Sequence, residues 1–163
     1  MNKHLVKSLM IAGTFAISTF SANALEGGDA TKGEKTFKKC MACHTIGEGA
    51  KNKVGPVLTG VIGRKAGSFE GYKYGKHLAE LGETGLIWNE DEVFEYLKDP
   101  KKYLRAKLDN KKAKTKMSFK LKKEEERKDV IAYLKTFSPE AEESAAESTE
   151  EEAATTTEGT TSN

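Results

Sequence analysis

Apolar residues recur at helical spacing in several stretches of this chain, and no stretch alternates with the period of a β-strand. The clearest case covers residues 122–137, where the apolar stripe consists of Val130, Ile131, Leu134 and Phe137. Three glutamates stand near its start and a proline follows it, which is typical of the two ends of a helix. We therefore predict a C-terminal helix and an all-α domain.

A second helix is predicted near the start of the domain. Asp29 can cap its first turn, and the helix runs to about Cys40. Gly33 lies in its middle, where a glycine costs helix stability, so we expect another backbone to approach closely there. The Gly-rich residues 45–71 that follow are predicted to form loops.

Two shorter helices are predicted between these loops and the C-terminal helix. The first covers residues 74–81 and is expected to end at Gly82. The second begins at the Asn89 cap, with Glu92 as its capping partner, and stops before Pro100.

The first 24 residues have the order of a secretory signal peptide. A basic start is followed by an apolar run over residues 9–20 and by the small-residue sequence Ala22-Asn23-Ala24. The apolar run is shorter than the roughly 18 residues of a membrane-spanning helix, so we expect cleavage rather than anchoring. The mature chain would then begin at Leu25, in the periplasm.

The other end of the chain is acidic and of low complexity. Residues 138–163 contain eight glutamates, no basic residue and no aromatic residue. Such a composition cannot bury enough apolar surface to offset the entropy of ordering, so we expect a disordered tail. The predicted organisation is therefore a signal peptide over residues 1–24, a domain over residues 25–137 and an acidic tail.

The net charge of +2 hides an uneven distribution. Residues 25–137 hold 25 basic and 17 acidic side chains, whereas the tail is purely acidic. A basic domain favours acidic partners. No nucleic-acid recognition module is present in the sequence, so we do not expect nucleic acid to be the partner.

The two cysteines, Cys40 and Cys43, are followed at once by His44, which completes the sequence C-x-x-C-H. Two thiols at this spacing near a helix end can each bond to one vinyl group of the same porphyrin. The adjacent imidazole can then ligate the iron. We therefore predict one covalently attached haem c, with His44 as an iron ligand.

Three other interpretations of the cysteines are open. They could form a short-range disulfide, or serve a thiol–disulfide oxidoreductase, although that chemistry is typical of a βαβ setting. Zinc would need about four ligands, for which Cys40, Cys43, His44 and His77 are available.

A second iron ligand follows partly by elimination. The methionines of the signal peptide are lost on cleavage, and Met41 lies between the two cysteines, so Met117 and His77 remain. Met117, in the loop before the last helix, is the prediction; His77 would give a bis-His haem of lower potential. With both positions of the iron filled, neither oxygen nor peroxide can bind, which favours an electron carrier over an enzyme. A haem peroxidase or sensor with an open sixth position is the alternative.

From about Gly28 to Phe137 the chain resembles class I cytochrome c, and most closely the long bacterial soluble type related to the mitochondrial protein. The matching segments are Gly28-Asp29, residues 40–45, Val54-Gly55-Pro56, Gly63-Arg64-Lys65, Gly71-Tyr72-Lys73-Tyr74, Trp88, Asp99-Pro100-Lys101-Lys102-Tyr103, Lys116-Met117-Ser118-Phe119 and Ile131-Ala132-Tyr133-Leu134-Lys135. The resemblance implies N- and C-terminal helices that pack together, with shorter helices and loops around one haem.

The resemblance also implies roles for single residues. The Pro56 carbonyl should accept the second N–H of His44, and Tyr96 should hydrogen-bond near the Met117 sulfur. Arg64, Tyr74 and Trp88 should contact haem propionates. Thr115 should line the propionate side and Phe119 the exposed haem edge. Residues 104–116 form a longer segment than in mitochondrial relatives, and Leu78 falls in an uncertain register, so neither receives a role.

The implied function is that of a monomeric single-electron carrier between membrane redox complexes, from a cytochrome bc complex to a terminal oxidase or another acceptor. Acidic docking faces on these complexes would meet lysines around the haem edge. The candidate docking lysines are Lys38, Lys39, Lys53, Lys101, Lys102, Lys114, Lys116 and Lys120.

Overall fold

The computed structural model describes residues 27–138 of the chain. The helices are α1 Ala30–Phe37, α2 Lys76–Glu83, α3 Glu90–Lys98, α4 Pro100–Lys107 and α5 Glu124–Lys135. Within the described range, extended backbone pairs only at an isolated bridge between Lys65 and Ile87, so the all-α prediction is confirmed. No helix in this range is long and apolar enough to cross a membrane. The predicted signal peptide and the acidic tail after Ser138 lie outside the described residues.

The first and last helices pack closely, and two glycines, one inside α1 and one just before it, bring their backbones together. A Cβ atom at Gly33 would lie 2.0 Å from the carbonyl oxygen of Asp129, and one at Gly28 would lie 2.4 Å from that of Lys128. The amide of Asp29 also donates to the Asp129 carboxylate at 2.9 Å. The close approach predicted at Gly33 is therefore confirmed, and its partner is the backbone of α5.

The apolar stripe of α5 forms the centre of the core. Val130, Ile131 and Leu134 are all buried, as predicted. Phe137, the fourth member of the predicted stripe, lies beyond the end of α5 and is half-buried. Phe37, at the end of α1, is buried with the first three, and its ring centroid lies 5.4 Å from that of Tyr133. These contacts fix the C-terminal end of α1, where the two cysteines follow.

The predicted N-caps Asp29 and Asn89 are confirmed for α1 and α3. The Asp29 carboxylate accepts a hydrogen bond from the amide of Lys32, and the Asn89 side chain accepts one from the amide of Glu92. Glu92 is not the reciprocal partner of Asn89, because its carboxylate accepts from the Tyr103 hydroxyl and the Lys107 ammonium. The predicted end of α2 is wrong, because Gly82 lies inside that helix. A Cβ atom there would lie 2.1 Å from the Ala66 carbonyl oxygen, so this glycine allows α2 to pack on the preceding loop.

Helix α4 was not predicted. Pro100 ends α3, as expected, but it also occupies the first position of α4, where its missing N–H costs nothing. Asp99 caps the new helix by accepting from the amide of Lys102 at 3.1 Å. Tyr103 and Leu104 are buried, so tertiary packing stabilises this short helix.

The packing of α1 on α5 leads to a stability prediction. We expect Gly33→Ala to lower the free energy of unfolding by about 1–3 kcal/mol, because the new methyl group has no room beside the Asp129 carbonyl. Guanidinium denaturation of the holoprotein measures the change. Glu34→Ala, at an exposed position in the same helix, is the control and should stay within about 0.5 kcal/mol of the wild type. Equal stability of the Gly33→Ala variant and the wild type would contradict the packing described.

Candidate functional site

A cavity of about 280 Å³ opens in the core, and the residues that line it come from segments between Phe37 and Leu134. Most of its wall is apolar. The buried apolar residues that line it are Phe37, Val61, Trp88, Val93, Tyr96, Leu97, Val130 and Leu134. The cysteine segment, residues 40–44, contributes Cys40, Cys43 and His44 to the lining, and Met117 lines the cavity from another part of the sequence.

The cysteine segment leaves α1 in a series of tight turns. The amide of Cys40 donates to the Phe37 carbonyl at 2.7 Å, and the amide of His44 donates to the Cys40 carbonyl at 2.9 Å. These turns direct Cys40, Cys43 and His44 to the same cavity. The two thiols are not joined in a disulfide.

The environment of Cys40 does not suit a thiol–disulfide enzyme. Burial raises the pKa of this thiol to about 11, with the nearby Lys39 charge opposing the effect. Redox-active cysteines of such enzymes have a lowered pKa, since the thiolate is the nucleophile. The βαβ setting typical of that chemistry is also missing from residues 27–138.

The ring of His44 is held in one orientation. Its Nδ1 donates to the Pro56 carbonyl at 2.8 Å, which leaves Nε2 free to bind a metal. Burial lowers the pKa of His44 and favours the neutral imidazole, the form that ligates. A Cβ atom at Gly55 would lie 2.3 Å from Cε1 of the ring, so only glycine allows the backbone to pass there. The hydrogen bond that the resemblance implied between His44 and Pro56 is present.

Met117 is half-buried and packs against the hydrophobic core. Its amide donates to the Thr115 hydroxyl at 3.0 Å, and this hydroxyl lies 3.5 Å from that of Tyr96. Thr115 and Tyr96 both line the cavity beside Met117. A hydrogen bond from Tyr96 to the Met117 sulfur stays a prediction, since the partner of Tyr96 within the described residues is Thr115.

The other candidate ligands lie elsewhere. Met41 is 52% exposed, and neither it nor His77 belongs to the residues that line the cavity. The Nδ1 atom of His77 instead accepts a hydrogen bond from the amide of Lys114 at 3.1 Å. Across residues 27–138 no three His, Cys, Asp or Glu side chains are grouped to hold a metal ion, which contradicts the zinc alternative.

Arg64, Tyr74 and Trp88 share one part of the cavity wall. The guanidinium of Arg64 donates to the carbonyls of Val57 and Thr59, both at 3.0 Å. Burial lowers the pKa of Arg64, but an arginine keeps its charge in a protein. This part of the wall therefore offers a cation, a phenol and an indole to an anionic group, while contact with haem propionates stays a prediction.

Leu78 and Tyr72 are among the lining residues that were given no role from the sequence. Leu78 lines the cavity from the first turns of α2, and the apolar face of that helix could have identified it. Tyr72 also lines the cavity, and its hydroxyl donates to the Val54 carbonyl at 2.6 Å. No spacing signal in the sequence predicts this contact between two loops.

Part of the cavity wall reaches the surface. Val54 and Phe119 line the cavity and are 76% and 38% exposed, so apolar surface lies beside its mouth. All eight candidate docking lysines are exposed, and Lys39, Lys114 and Lys116 belong to the lining residues. Lys39 and Lys120 are each engaged in an ion pair, with Glu126 and Asp99, both at 2.7 Å.

This donor set fits a covalently attached haem. Two free thiols and an oriented imidazole with an available Nε2 stand on one part of the wall, a thioether stands on another, and the remaining surface is largely apolar.

The comparisons with known proteins agree with this fit. Residues 30–138 match the family model described as Cytochrome c. The chain is 52% identical over 121 residues to cytochrome c2 iso-2 of Rhodospirillum centenum, covering 71% of this chain and 100% of that protein. It is 47% identical over 131 residues to cytochrome c2 of Rhodospirillum rubrum, covering 80% of this chain and 97% of that protein.

A solved structure extends the likeness to the fold. The structure of cytochrome c2 from Rhodospirillum centenum matches with a TM-score of 0.67 at 52% identity, over 69% of this chain and 100% of that one. The sequence motif, the cavity and these matches lead to one conclusion. The chain belongs to the cytochrome c family of electron carriers, with one haem c attached covalently through the motif of Cys40 and Cys43.

Proposed function

We propose that this protein is a soluble periplasmic single-electron carrier whose iron is ligated by His44 and Met117. The observation that carries the proposal is that both side chains line one apolar cavity, although they lie 73 positions apart in the sequence. When bound, the haem supplies a one-electron Fe(III)/Fe(II) couple. The residues of the chain orient the ligands, exclude water and set the potential.

The two proposed ligands act differently. His44 enters with its ring already oriented by Pro56, so little freedom is lost when Nε2 binds iron. The thioether of Met117 is a soft ligand that stabilises ferrous over ferric iron. The apolar wall acts in the same direction, because ferric haem carries one more positive charge. Both effects support a carrier of raised potential.

The surroundings of Met117 support a filled sixth position rather than a peroxidase or sensor. Met117, Thr115 and Tyr96 line the same cavity, and the Thr115 hydroxyl is in hydrogen-bonding distance of both the Met117 amide and the Tyr96 hydroxyl.

Arg64, Tyr74 and the Trp88 indole are the proposed donors to the haem propionates. Their hydrogen bonds would offset the charge of these carboxylates inside the domain.

The proposed location rests on the N-terminal sequence, and the proposed partners rest on the exposed lysines near the cavity. The signal-like N terminus supports export. Detection of Leu25 as the first residue of the protein from a periplasmic extract tests export, and an intact N terminus would contradict it.

The exposed lysines near the cavity mouth support transient docking to acidic faces of a cytochrome bc complex and of an oxidase.

Carbon monoxide binding tests the ligation. We expect the ferrous wild-type protein to bind little carbon monoxide at neutral pH, and Met117→Ala to bind it readily, because the substitution removes the sixth ligand. The visible spectrum reports the binding. Met41→Ala is the matched control, since Met41 is exposed and is not part of the cavity wall. Rapid binding by the wild type would instead favour the peroxidase or sensor alternative.

Ionic strength tests the docking surface. We expect the rate of reduction by a purified cytochrome bc complex to fall as salt rises, because screening weakens electrostatic steering. Lys53→Gln should lower the low-salt rate several-fold and flatten the salt dependence, whereas Lys65→Gln, outside the docking lysines, should change neither. Stopped-flow kinetics measures both quantities. A rate independent of salt in the wild type would remove the proposed docking role.

A further inference from the structure

The methionine loop, residues 114–120, has an unusual hydrogen-bond pattern. It is bounded by two backbone hydrogen bonds, from the amide of Ala113 to the Asn110 carbonyl and from the amide of Leu121 to the Leu97 carbonyl. Between these points, within the described part of the chain, no backbone amide pairs with a backbone carbonyl. The position of Met117 therefore depends on side chains.

Two amides of the methionine loop have side-chain acceptors. The amide of Met117 donates to Thr115, which lies in the same loop and moves with it. The amide of Lys114 donates to Nδ1 of His77, which lies 37 positions earlier in the sequence. Among the amides of residues 114–120, the His77 contact is thus the one that ties the loop to another element of the described structure.

His77 is well placed to act as a fixed acceptor. It lies in the first turn of α2, and this helix is anchored by the buried Leu81 and by the close packing of Gly82 on the Ala66 carbonyl. An acceptor at Nδ1 means that the neutral ring carries its proton on Nε2. The imidazole therefore offers a lone pair from a rigid helix to an amide of the loop.

The other contacts of the loop run through its side chains. The Thr115 hydroxyl lies 3.5 Å from that of Tyr96, Met117 packs against the core, and two lysines reach other segments. Lys116 donates its Nζ to the Lys73 carbonyl at 2.5 Å, and Lys120 pairs with Asp99 at 2.7 Å. Holding an exposed lysine in one conformation costs entropy, so such contacts stabilise little. The His77 imidazole has fewer rotatable bonds, and its partner is the backbone of the loop itself.

We infer that His77 is a positioning residue for Met117, holding the methionine loop against α2 so that the thioether stays at the cavity. The inference rests on the proposed ligation of iron by Met117. An added ligand can enter the sixth position only when the loop moves away, and its apparent affinity scales with the population of that open state. Loss of the His77 contact would raise this population, because the contact exists only with the loop closed.

Imidazole titration of the ferric, full-length mature holoprotein at neutral pH tests the inference, with absorption as the readout. His77→Leu removes the acceptor and should bind imidazole about three- to tenfold more tightly than the wild type, the range expected for one net hydrogen bond. His77→Asn places an amide oxygen near the position of Nδ1 and should restore the wild-type affinity. Lys76→Ala, an exposed neighbour in α2, is the control and should bind as the wild type does.

The outcomes separate this inference from the proposed function. The far-red absorption band of a sulfur–iron bond, recorded in each protein before imidazole is added, reports ligation by Met117. If the wild type shows the band but His77→Leu binds imidazole no more tightly, the role of His77 is wrong and the proposed ligation stands. Equal gains in His77→Leu and His77→Asn would also overturn it, since the acceptor would then be irrelevant. Absence of the band in the wild type would remove the ligation and the inference together.

Discussion

The hydrogen bond from the His44 imidazole to the Pro56 carbonyl is the interaction on which the rest of the site depends. It fixes which ring nitrogen faces the cavity, and glycine at position 55 is what allows the loop to lie against the ring. The turns after α1 bring His44 to that loop, and α1 itself is held by the glycine-mediated packing on α5. The contact between the first and last helices thus determines where the cysteines and the imidazole lie.

The part of the cavity wall that contains Met117 is held in place differently. Met117 sits in a loop that makes little backbone hydrogen bonding of its own, so neighbouring side chains determine its position. On the imidazole side, the ring is held by the Pro56 carbonyl and by the close pass of the Gly55 backbone, so the two proposed ligands are positioned by different kinds of contact.

Local signals predicted much of this molecule. The Asp29 and Asn89 caps, the stripe of α5 and the close approach at Gly33 all follow from spacing and residue type, and the C-x-x-C-H motif identified the haem attachment. The predictions from sequence failed where one residue serves two helices, or where a contact joins segments that are distant in the sequence. Pro100 ends one helix and begins the next, Gly82 serves packing rather than termination, and no local pattern links His77 to Lys114.

The absorption spectrum of the purified ferric wild-type protein at neutral pH decides whether iron is bound by an imidazole from the cysteine segment and a thioether from the methionine loop. With this ligation we expect a low-spin spectrum that carries the weak far-red band of a sulfur–iron bond. A high-spin spectrum, or a low-spin spectrum that lacks the band, would contradict this ligation.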